Sequence, residues 1–129
     1  MPSVDTNVIL RWLLDDVPEQ TERATALLNS GPRFIVDDTT VIEVVYVLER
    51  VLRISRASVA AAVRSVMAEA NLEPDREHWT SVIAIYERHP KLSITDIHLA
   101  QRAEQRDDTL FTFDRKLTTQ LPAAELVPN

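Results

Sequence analysis

Six carboxylates stand where the local character of this chain changes. Asp5 follows a short apolar stub in SVDTNVILRWLL (3–14). Asp37 and Asp38 follow the apolar run RFIV (33–36). Glu43 lies in TTVIEVVYVLER (39–50), Asp96 in LSITDIHLAQRA (92–103) and Asp114 in TLFTFDRKL (109–117). Carboxylates crowded together without cations repel and raise one another's pKa. The usual remedy is a hard divalent cation, Mg²⁺ or Mn²⁺, which takes oxygen ligands.

Each acid also has a plain structural explanation. Asp5, Asp38 and Asp114 suit helix N-caps, where a carboxylate accepts from free backbone N–H groups. Thr40-x-x-Glu43 has the form of a capping box. Asp96 follows Thr95 and reads as a first-turn acid behind a Thr cap. The joint pattern is harder to explain this way. Asp5 and Asp114 both end apolar strands, whereas Glu43 and Asp96 both begin apolar helices.

The elements that must carry these acids follow from periodicity. Residues 2–4 predict a very short strand, and 6–14 a buried helix with Val8, Ile9, Trp12 and Leu13 inward. Pro18, at a favoured first helical position, opens a second helix that runs to about Asn29 before Gly31-Pro32. Residues 33–36 predict a strand. The β-branched stretch 39–52 is long for a strand, and Val41, Val44, Val45, Leu48 and Val51 recur at helical spacing, so it predicts a helix. Ser55 caps a helix over 56–70, and residues 71–73 form a minimal strand. Pro74 opens a helix with Trp79, Val82, Ile83 and Tyr86 on one face. A helix over 95–107 turns Ile97, Ala100 and Ala103 inward. Residues 109–113 predict a strand, and 126–127 a final edge strand.

Alternating strands and helices imply right-handed crossovers and a parallel sheet with helices on its faces. Ligands of such sheets bind at the carboxyl ends of the strands. Asp5, Asp38 and Asp114 share that address.

Composition sets the limits. A chain of 129 residues with 45% apolar content has the size and material for one packed domain. The single glycine, Gly31, excludes Gly-rich phosphate loops. The absence of cysteine removes thiolate nucleophiles, disulfides and Cys-ligated zinc, and fits a reducing compartment. His78, His89 and His98 lack metal-ligand spacing, and the reading places each at the surface. A net charge of −6 argues against a nonspecific nucleic-acid binder. It fits either an ordinary acidic surface or a cluster of acids held by metal. No basic-then-apolar leader and no apolar run near 20 residues are visible, so the expectation is a soluble cytoplasmic protein.

Taken together, SVDTNVILRWLL, TTVIEVVYVLER, LSITDIHLAQRA and TLFTFDRKL resemble a PIN domain, and more closely the VapC-type ribonuclease toxins of type II toxin–antitoxin pairs. The four motifs occur in that family's order and spacing along essentially the whole chain. The resemblance implies one domain over 1–129, an α/β three-layer sandwich with a short, mainly parallel sheet flanked by helices. Residue by residue, the family's acids fall on Asp5, Glu43, Asp96 and Asp114, and its supporting polar positions on Asn7 and Thr112. Asp37 and Asp38 match no family acid. Ile97-His98 departs from the small residues common after the third acid, which alters the expected pocket wall.

The implied activity is Mg²⁺-dependent endoribonuclease cleavage, with Mn²⁺ able to substitute, leaving a 5′-phosphate and a 3′-hydroxyl. Asp5 and Asp96 are the expected direct metal ligands, and Glu43 and Asp114 complete the acidic set. The implied partners are an RNA substrate, a small cognate antitoxin and a second copy in a homodimer, with no membrane. Two other readings stand beside this one. The first is an inert PIN-like binding module. The second is a phosphatase with Asp5 as nucleophile, although that chemistry wants an acid two residues later, where Asn7 stands.

Overall fold

Seven helices and short parallel strands alternate along the chain in a computed structural model that describes residues 1–129. The chain divides into two compact units, Met1–Arg76 and Glu77–Asn129. The expected α/β class, with short parallel strands between helices, is what forms.

In the first unit, Ser3 makes an isolated parallel bridge to Ile35 rather than the strand expected over 2–4. Two backbone bonds secure it, Val4 N to Ile35 O at 3.1 Å and Ile35 N to Pro2 O at 2.8 Å. Strand β1 (Phe34–Ile35) pairs in parallel with β2 (Leu72–Glu73), with Phe34 opposite Leu72. Because Ser3 and β2 flank β1 and all run parallel, Asp5 and Asp37 leave the same carboxyl edge.

Helix α1 (Thr6–Leu13) starts directly after Asp5 and buries Ile9 and Leu10. Trp12 and Leu13, expected inward, are only half-buried. Helix α2 (Pro18–Leu28) has Pro at its first position, as expected. Gly31 follows it with φ 122°, a conformation only glycine adopts without strain.

Helix α3 (Asp38–Tyr46) buries Val41, Val44 and Val45. It does not continue as a regular α-helix through 52. Residues Val47–Val51 form one wide π-helical turn, closed by Leu52 N to Val47 O at 3.0 Å. The extra residue in this turn shifts the helical phase, so Leu48 stays buried while Val51 is 63% exposed. Helix α4 (Arg56–Ala68) is capped by the Ser55 hydroxyl, which accepts from Ser58 N. Its carboxyl end is closed by Arg76, which donates to Met67 O at 2.8 Å, to Glu69 O at 2.8 Å and to Leu72 O. Arg76 and Arg33 also pair with Glu73, which fixes β2 against the end of α4.

In the second unit, α5 (Arg76–Arg88) buries Trp79, Val82, Ile83 and Tyr86 on the expected face. Helix α6 (Ile94–Gln105) buries Ile97, Ala100 and Ala103, also as expected. Asp107, with φ 55°, ends it in a left-handed turn that lets Asp108 N bond Ala103 O at 2.9 Å. Strand β3 (Leu110–Thr112) pairs in parallel with β4 (Ala124–Leu126), and a helix unforeseen from the sequence, α7 (Arg115–Gln120), connects them. No helix is long and apolar enough to cross a membrane.

His78 corrects the surface assignment. It is 1% exposed and holds partners on both ring nitrogens, His98 Nδ1 at 2.7 Å and Gln105 Nε2 at 2.7 Å. Both ring nitrogens of His78 are thereby engaged. The His98 ring in turn stacks on Trp79 at 5.1 Å and 5°. This buried polar seam ties α5 to α6 just beyond Asp96.

Candidate acidic site

Asp5 sits in extended backbone as the N-cap of α1, and its Oδ1 accepts from Val8 N at 3.1 Å. One carboxylate oxygen is thereby committed. The next residue reaches across the unit: Thr6 Oγ1 donates to Glu43 Oε2 at 2.7 Å. Glu43 is one turn into α3 and exposed, so this bond holds a flexible carboxylate one residue along the chain from Asp5.

The plain reading of Glu43 fails here. The capping box would have Glu43 fold back to its own helix start. The cap of α3 is Asp37, whose Oδ1 accepts from Thr39 N at 2.9 Å, while Glu43 is engaged by Thr6. Asp38 lies in the first turn and is not the cap. An open cleft of about 620 Å³ at the carboxyl edge is lined by both Asp5 and Asp37, with Ser3 and Thr40 on its polar side. Asn7 faces elsewhere, into a groove of about 410 Å³ that α1 and α2 line.

Asp114 and Asp96 belong to the second unit. Asp114 caps α7 through Lys116 N at 2.9 Å, and its own backbone N donates to Thr112 Oγ1 at 3.0 Å. Thr112 therefore braces the turn that presents Asp114. Asp96 is in the first turn of α6, but the cap is Ser93 rather than Thr95: Asp96 N donates to Ser93 Oγ at 3.1 Å. No hydrogen bond or ion pair engages the Asp96 carboxylate.

None of the four acids forms a salt bridge, whereas Asp16 and Glu73 are paired with arginines. Glu43 is tied to Thr6, the residue after Asp5. The structure does not gather three or more Asp, Glu or His side chains closely enough to hold a metal among them. The donor chemistry of Asp5 and Glu43 nonetheless fits a hard cation. Both supply oxygen only, both keep an oxygen uncommitted, and Mg²⁺ commonly takes one or two carboxylates, with waters and substrate phosphate completing its shell.

Sequence reasoning did not find the Thr6 tether. A Thr after a strand-end acid is the only local signal, and its partner lies 37 residues away. A family model described as PIN domain matches residues 3–119, which spans all four acids. No curated protein gives a significant match.

Proposed function

The chain belongs to the PIN domain family, whose members are generally nucleases that use divalent metal ions, and from that premise we propose that it is a Mg²⁺-dependent endoribonuclease of the VapC toxin type. The observation that carries this reading is the bond from Thr6, the residue after Asp5, to Glu43, with neither acid given a cationic partner. In this reading residues 1–129 act as one catalytic domain, in the cytoplasm and as a homodimer. A small antitoxin restrains it, covering the exposed Leu27, Tyr46, Val51 and Leu52.

In this reading Asp5 and Asp96 would hold the ion, and Glu43 and Asp114 would complete the acidic set and orient the attacking water. Asn7 and Thr112 support the site, Thr112 by its bond to the Asp114 backbone. When bound, Mg²⁺ supplies the positive charge that polarises the scissile phosphate and lowers the pKa of the water. The products are a 5′-phosphate and a 3′-hydroxyl. No side chain forms a covalent bond to the substrate.

The test is cleavage of a structured RNA pool by the purified protein. Cleavage is expected with Mg²⁺ or Mn²⁺ and is expected to stop in EDTA. Persistence in EDTA would remove the metal from the mechanism.

Thr6 is a positioning residue in this scheme. Thr6→Val keeps its shape but frees Glu43. Cleavage is expected to fall about tenfold, the lower end for lost outer-shell support of a metal site. The loss should shrink at high Mg²⁺, which titration of rate against metal reads directly. A purely structural role for Thr6 would leave that metal dependence unchanged.

A further inference from the structure

Two phenylalanines beside Asp114 are left in solvent. Phe113 is 85% exposed and Phe111 is 56% exposed. Phe111 lies in β3, and Phe113 follows it in the bend that leads to Asp114. The next residues, Arg115 and Lys116, are exposed cations without a carboxylate partner. A large exposed ring, a candidate catalytic acid and two free cations thus occupy four consecutive positions.

We infer that Phe113 is a stacking platform for an unpaired RNA base next to the cleaved bond, with Arg115 and Lys116 contacting the adjoining phosphates. This rests on the nuclease reading above and narrows its substrate to single-stranded or looped RNA. A base inside an uninterrupted duplex has no free face to offer, whereas splayed bases stack on exposed aromatic rings. Phe113 rather than Phe111 is the platform, because β4 places Glu125 opposite Phe111 and that carboxylate repels a phosphate chain. A protein partner fits less well. A protein interface would favour the phenylalanine and the arginine but not the lysine, whereas all three suit a nucleic acid.

The test uses a random-sequence single-stranded RNA pool and the full chain. Phe113→Ala is expected to raise KM about tenfold or more while kcat changes little. Phe113→Trp should restore wild-type KM, whereas Phe113→Leu, similarly apolar but without a π face, should not. Binding of the same pool in EDTA, read by fluorescence anisotropy, should weaken by the same factor, and the pool annealed to its complement should bind poorly to every variant. Ala61→Ser, exposed on α4, serves as the unaffected control. Equal KM for the Leu variant and wild type would overturn the platform. So would a change in sedimentation of Phe113→Ala with RNA binding intact, which would assign the ring to a protein interface. If wild type neither binds nor cleaves RNA, the nuclease reading itself falls. If wild type cleaves and Phe113→Ala is unchanged, only the platform falls.

Discussion

Asp5→Asn is expected to abolish RNA cleavage, by at least about a hundredfold, in a protein that melts where the wild type does. The magnitude follows from the proposed role of Asp5 as a ligand in an electrostatic site, where single preorganised contacts are worth about 10²–10³ in rate. The unchanged stability follows from the geometry. Asp5 caps α1 by accepting from Val8 N, and asparagine caps a helix about as well as aspartate. The substitution therefore separates the two roles of one side chain. Asp5→Ala removes both, and its melting temperature is expected to fall by roughly 4 °C, from a cap worth about 1 kcal/mol. Rates per folded molecule, with thermal melts of all three proteins, check this. Full activity in Asp5→Asn would leave the acid as a cap and nothing more.

Asp96→Asn makes the complementary case. Its carboxylate engages no partner, and the cap of α6 is the Ser93 hydroxyl. Cleavage is expected to fall by at least about a hundredfold on the same electrostatic grounds. In chelator, the melting temperature should fall by no more than about 3 °C, the share owed to a first-turn acid at the positive helix end. Ser93→Ala should do the reverse: a loss of about 1 kcal/mol in stability, with activity per folded molecule retained. If Asp96→Asn instead destabilises as much as Ser93→Ala while cleaving normally, Asp96 is a structural residue.

The helices that bury a regular stripe were legible because their residues repeat with the α-helical period. Trp79, Val82, Ile83 and Tyr86 define α5, and Ile97, Ala100 and Ala103 define α6, from the sequence alone. Helix α7 was not legible, because six residues with only Leu117 buried show no period. Trp12 was placed too deep and Leu10 was overlooked, since a helix of two turns leaves the orientation of its stripe poorly determined. The burial of His78 depends on His98 and Gln105, 20 and 27 residues away, and no local pattern announces it. The acids themselves stood out by type and address. Asp5 and Asp114 were legible as caps too, but the caps of α3 and α6 were not, because Asp37 and Asp38, or Ser93 and Thr95, are equivalent until the backbone dihedrals are known.

The wide turn at Val47–Val51 bears on how this chain tolerates insertions and deletions over evolutionary time. In a continuous α-helix, adding or removing one residue rotates everything beyond it by about 100° and would force a choice between the buried face and Glu43. Here the surplus residue is confined to a single turn after Tyr46. A deletion within that turn could be absorbed by tightening it to an ordinary helical turn, leaving Val41, Val44 and Val45 in the core and Glu43 within reach of Thr6. The first half of the helix is thus insulated from length changes in the second, and the loop toward α4 is free to drift in sequence without carrying the acid away from its tether.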